Sequence, residues 1–119
     1  MRESITRLVK GLRRESQSLI EEASIAEMMG NREKGDLLLD IAYRLDRLNA
    51  DFHAETMAGG ARRAGILRTA SWLAMRTGRA RDALMLALRG LGGEDVPATT
   101  ADQLHEIRNE AEAALGAAP

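Results

Sequence analysis

Cysteine is absent from the 119 residues, so neither a disulfide framework nor a thiolate metal site is available. Aromatic residues are scarce: one Trp, one Tyr and one Phe. A core must therefore come from Leu, Ile, Ala and Met. With only two prolines, that composition favours helices over a sheet. Also missing is any run of roughly 20 apolar residues that could span a bilayer. Arg2, Glu3, Arg7 and Lys10 stand where a secretion signal would place its apolar stretch. These absences predict a soluble, cytoplasmic chain that does not enter a membrane. Its length suits a single domain.

What is present is helical periodicity. Ile5, Leu8, Val9, Leu12, Leu19, Ala23 and Ala26 keep one phase across Gly11, and Gly30 with Asn31 supplies a C-terminal stop. Leu37, Leu38, Ile41, Leu45, Leu48 and Phe52 form the next stripe. Together they predict a long N-terminal hairpin over 3–57, with the second stripe as the core face of its second helix. After Gly59 and Gly60, the set Ile66, Ala70, Leu73, Ala74 and Thr77 marks a third helix, stopped by Gly78. Ala80, Leu84, Ala87, Leu88 and Leu91 mark a fourth, which ends at Gly92 and Gly93. These two make a central hairpin over 61–92, in which the small side chains of Ala70, Ala74, Ala83 and Ala87 allow close approach. Thr100 followed by Gln103 has the form of a capping box opening a final helix over 100–115, whose stripe is Leu104, Ile107, Ala111, Ala114 and Leu115. Its other face carries Asp102, Glu106, Glu110 and Glu112, a polar exterior suited to closing a stack. The expected fold is all-α: about five helices, two antiparallel hairpins and a capping helix.

Small residues recur at one offset. Gly30, Gly35, Leu39 and Ala42 align with Gly78, Ala83, Ala87 and Gly90. With Gly78 at the turn, Ala83 early in the following helix and Gly90 late in it, the chain resembles the tetratricopeptide repeat family of helical hairpins over about 16–49 and 64–97. Leu67, Ala70, Ser71 and Ala74 stand where that family's pattern has Trp, Leu, Gly and Tyr. The resemblance implies that the first helix of each hairpin lines a ligand groove. Its groove positions map onto Gly65, Arg68, Trp72, Met75 and Arg76, and in the first unit onto Gln17, Ile20, Ser24, Glu27 and Met28. It also implies a small interaction protein, since some stand-alone members of this size are chaperones that hold secretion subunits.

The residues themselves point the same way. Net charge is −1, yet Arg62, Arg63, Arg68, Arg76, Arg79 and Arg81 fall in an acid-free stretch, while Glu94–Glu112 is acidic. The two regions are either solvated or paired faces of one molecule, or the basic one meets an acidic partner. Trp72 lies opposite the apolar stripe of its helix, with Arg68, Met75, Arg76 and Arg79 on its side. Trp with Arg is the pairing most enriched at interaction hot spots. The ring is covered by another helix of the chain under its arginines, or is buried against a second copy, or binds a partner. A homodimer through the long N-terminal hairpin would supply burial that two hairpins lack. For a partner, a protein or acidic peptide fits best, because guanidinium groups bind carboxylates in bidentate fashion.

No enzyme is expected. Arg47 and His53, with five residues between them, resemble the arginine–histidine motif of the HEPN ribonucleases, but Leu48 follows the Arg where those enzymes carry a polar residue. An RNA-binding or RNA-cleaving helical bundle is therefore the alternative reading. Neither His53 nor His105 has a Glu three residues before it, as a helical di-metal site requires. There is no phosphate-binding glycine loop. No cofactor or metal is expected, and nucleic acid is the less favoured partner.

Overall fold

The structure is a computed structural model that describes residues 2–56 and 60–116, with side chains placed at all of these except 2–6, 9 and 53–56. Its elements are α1 (Arg2–Met28), α2 (Arg32–Thr56), α3 (Ala61–Arg76), α4 (Ala80–Leu91) and α5 (Ala98–Gly116). Among the described residues the fold is all-α with five helices. It divides into two compact units, 1–49 and 50–119, and the division falls inside α2.

In the first unit, α1 stops because Gly30 takes a φ of 79°, a conformation that costs glycine little. Asn31 N–H then donates to Ala26 O at 2.8 Å, the closing bond of a Schellman turn. Asn31 also opens α2, since its side-chain oxygen accepts from Lys34 N–H at 3.2 Å. One short turn therefore ends one helix and caps the next, which makes the two antiparallel neighbours. The helices touch where Gly35 sits against Ala23 and Glu27: a Cβ added there would lie 3.3 Å from Ala23 O and 3.2 Å from Glu27 Cγ.

The buried face of α2 differs from the expected one. Gly35, Leu39, Ala42, Tyr43, Asp46 and Asn49 are buried, whereas Leu37, Ile41 and Leu48 of the apolar stripe are 61%, 40% and 59% exposed. The approach of α1 at Gly35 and Ala42 leaves room only for small residues at those positions, and the more apolar stripe lies outside. On α1, Ala23 and Ala26 are buried as expected and Ser16 joins them, its hydroxyl directed at Ala42 O at 3.5 Å. Leu8 is exposed, while the side chains of Ile5 and Val9 lie outside the described residues.

In the second unit, the turn after α3 repeats the first turn's geometry. Gly78 has φ 78°, and Arg79 N–H reaches Ala74 O at 2.8 Å. Ala70, Ala74, Ala83 and Ala87 are all fully buried, so α3 and α4 meet through methyl groups. Gly30 and Gly78 share one backbone geometry, and the aligned pairs Gly35 and Ala83, Leu39 and Ala87, Ala42 and Gly90 are buried in both hairpins. On α4 the buried set is Ala83, Leu86, Ala87 and Gly90, while Leu88 is exposed, so this stripe too is rotated from the expected one. Helix α5 begins at Ala98, two residues early. Ala101 N–H bonds to Pro97 O at 2.9 Å, which places Thr100 inside the helix and leaves Gln103 out of any capping box. Leu104, Ile107 and Ala111 are its buried side. No helix among the described residues is long and apolar enough to cross a membrane.

Candidate functional site

The second unit holds a groove of about 330 Å³ between α3 and α5, lined by Arg68, Thr69, Trp72, Gln103, Glu106 and Ile107. Each wall follows from helix geometry. Arg68 and Trp72 are one turn apart on α3, and Gln103, Glu106 and Ile107 recur at three and four on α5. Gly65 lies a turn before Thr69, whose hydroxyl is spent on Gly65 O at 3.1 Å.

Trp72 is 39% exposed: it is neither sealed in the core nor fully in water. The guanidinium of Arg76 lies over the ring, 5.6 Å from its centroid, a cation–π contact one turn along the helix. Arg68 is half-buried. Its Nη1 donates to Gln103 Oε1 at 3.0 Å, while its Nε is shielded from solvent with no hydrogen-bond partner. Glu106 is exposed at the groove wall, and Ile107 supplies an apolar floor. The groove thus sets an indole and an apolar side chain between the Arg68 guanidinium on α3 and a carboxylate on α5, with the Arg76 guanidinium over the indole.

The expected site residues do not all come together. Arg68 and Trp72 line the groove, and Arg76 covers the ring without lining it. Met75 is half-buried. Arg79 is not on α3 at all: the helix ends at Arg76, the chain reverses at Gly78, and Arg79 is the residue that precedes α4. Gln103, Glu106 and Ile107 were not singled out as site residues from sequence. Local spacing shows that they share a side of α5, but nothing local shows that this side faces Trp72.

The basic and acidic regions do meet, since α5 lies against α3, though at the groove the contact to Arg68 comes from an amide. Elsewhere, Arg63 Nη1 donates to Arg89 O at 3.1 Å, and Arg89 pairs with Asp51 at 3.2 Å. These arginines of the second unit help to hold its own structure. Arg47 donates to the Tyr43 hydroxyl at 3.2 Å, and the His53 side chain lies outside the described residues. Among the described residues, no three His, Asp or Glu side chains come close enough together to hold a metal ion.

In the first unit Asp46, 4% exposed, is a buried ionisable group beside Ser16. Burial pushes its carboxyl up to about 6, against the opposing pull of the Ser16 hydrogen bond and the Arg13 charge. Its Oδ2 and both polar atoms of the Asn49 side chain have no hydrogen-bond partner. A second cavity, of about 300 Å³, lies at the end of α1 and is lined in part by Ile25, Ala26 and Met29. No family model, curated protein or solved structure matches the chain.

Proposed function

We propose that this chain is a non-enzymatic protein-interaction module, an adaptor or chaperone-like partner working in the cytoplasm on tetratricopeptide-like hairpins. It holds a short acidic segment of another protein in the groove between α3 and α5. The observation that carries this reading is the indole of Trp72, part-exposed at a groove that Arg68 also lines, with the Arg76 guanidinium over its ring.

The chemistry of the walls defines the segment. An apolar side chain lies on Trp72 and Ile107, where removal of both surfaces from water supplies most of the binding energy. A neighbouring carboxylate meets the arginines of α3, a charge-assisted contact that fixes direction. Glu106, on the opposite wall, repels an acid there and accepts from the segment's backbone N–H or from a basic residue. The groove therefore reads one orientation of the peptide over its reverse.

Calorimetry with short peptides that place Leu or Phe beside Glu or Asp tests this. Binding is expected to be lost in Trp72→Ala, with far-UV circular dichroism unchanged, and to weaken in Arg76→Ala. Scrambled peptides that bind as well, or a Trp72→Ala chain that binds undiminished, would refute the reading. Salt separates it from a nucleic-acid interface: a phosphate-driven complex weakens steeply as salt rises, whereas a Trp-anchored one changes little.

A further inference from the structure

The charges of α1 are sorted by sign. Residues 4–14 hold Arg7, Lys10, Arg13 and Arg14 and no acid, whereas residues 15–28 hold Glu15, Glu21, Glu22 and Glu27 and no cation. A lone helix gains nothing from this order. Its own dipole favours acids at the start and bases at the end, the reverse of what is found, and Arg7, Lys10 and Arg14 repel one another at spacings of three and four. The first unit does not answer it either. Ser16 lies beside Ala42, so the antiparallel α2 runs past the basic half with residues that bring two further arginines, Arg44 and Arg47, against the acid Asp46.

The same helix leaves a stripe open. With Ser16, Ala23 and Ala26 turned inward, Leu8, Glu15 and Glu22 recur every seven residues on the outside, and Ser18 and Ile25 follow three residues after the two acids; all five are exposed. The two ends of the stripe are apolar. Leu8 is 63% exposed near the start of α1, and Ile25, 60% exposed near its end, borders the cavity of about 300 Å³ that Glu22, Ala26 and Met29 also line.

We infer that this open face of α1 is a self-association surface, which pairs antiparallel with the same face of a second copy of this chain. Sign and shape both select that occupant. Reversal lays the basic half of each copy on the acidic half of the other, while a parallel pairing sets like on like. A polyanion such as nucleic acid matches the first half and is repelled by the second. Shape gives the register. When Leu8 faces Ile25 of the second copy it enters the cavity beside that residue, and the two-fold axis fills the other cavity in the same way. Ser18 then faces Glu15 of the second copy near the axis. On the flank, in the position just before Glu15, Arg14 meets Glu21 of the second copy, with Lys10 on the same side one turn earlier. Every residue in these contacts belongs to the first unit and is exposed in the single chain. The surface shares no residue with the Trp72 groove.

The test is sedimentation equilibrium of the full chain through the micromolar range. Wild type is expected to dimerise. Ile25→Lys, at an exposed position, is expected to be monomeric with unchanged helicity. Arg14→Glu and Glu21→Arg are each expected to weaken the dimer about tenfold, since each sets like charges face to face twice. Mixed together, these two charge variants are expected to recover wild-type strength as a heterodimer, because Glu at position 14 of one chain then meets Arg at position 21 of the other and the second contact is that of wild type. That mixing result does not depend on the folding of the Ile25→Lys chain. A wild-type chain that stays monomeric, an Ile25→Lys chain that dimerises as wild type does, or charge variants that fail to recover on mixing would each overturn the inference.

Discussion

Arg68 and Gln103 stand 35 positions apart and are joined at 3.0 Å, so that α3 and α5 share a hydrogen bond at the wall of the groove. The bond also sets the direction of the Arg68 guanidinium, whose Nε is left without a partner. A half-buried charged donor is costly to leave unmatched. Gln103→Leu keeps the volume of the side chain and removes the acceptor. We expect it to cost about 1 kcal/mol in urea unfolding and to weaken peptide binding more than its distance from Trp72 would suggest. A variant as stable as wild type would show that the amide does not hold the guanidinium in place.

Gly90 lies directly under Leu104, where an added Cβ would come within 2.9 Å of Leu104 Cδ1 and 3.4 Å of Leu67 Cβ. Both leucines are fully buried and have little room to retreat. Overpacking of a tight core costs about 1–3 kcal/mol, set against a gain of up to about 1 kcal/mol from replacing a helical glycine. Gly90→Ala is therefore expected to lower the unfolding midpoint. At Gly11, also mid-helix, an added Cβ meets nothing within 4 Å. Gly11→Ala is expected to raise stability by about 0.5–1 kcal/mol. The opposite signs of one chemical change, read by thermal unfolding, check the packing of α4 against α5.

Asp46 makes the first unit sensitive to pH. Its carboxyl is raised from 3.8 to about 6 by burial, so the folded chain holds this proton more tightly than the unfolded one does. The stabilisation is fully present below about pH 4 and is lost as pH rises through 6. The difference amounts to at most about 3 kcal/mol. Asp46→Asn is expected to be more stable than wild type at pH 8, and the two should converge as pH falls toward 4. A constant difference across that range would mean that Asp46 is solvated in the folded chain.

Much of the architecture was legible because its punctuation is local. Gly30 with Asn31, and Gly78 on its own, mark turns by the backbone angles they tolerate, and the helices on either side appear where the periodicity places them. Burial was less legible. On α2 hydropathy selects the face of Leu37, Ile41 and Leu48. Close approach to α1 instead buries Gly35 and Ala42, and burial extends to Asp46, a residue that no apolar pattern would choose. The site divides in the same way. Arg68 and Trp72 share a face of one helix, which spacing reveals. The side chains that complete the groove come from α5, and the juxtaposition of two helices so far apart in the chain is a property of packing. The wheel angle that groups Arg79 with Trp72 loses its meaning once Gly78 ends the helix, and Arg79 instead precedes α4.

Trp72 is the sole tryptophan, so its emission reports on the groove and on nothing else. Titration of the wild-type chain with a peptide that joins Leu or Phe to an acidic residue, followed by fluorescence, tests the central claim most directly. The account predicts a saturable shift of the emission to shorter wavelength, as water leaves the indole, with a weaker affinity in Arg76→Ala. Emission that stays at the free-protein wavelength, while an independent measurement shows the peptide bound, would place the partner elsewhere on the molecule and contradict it.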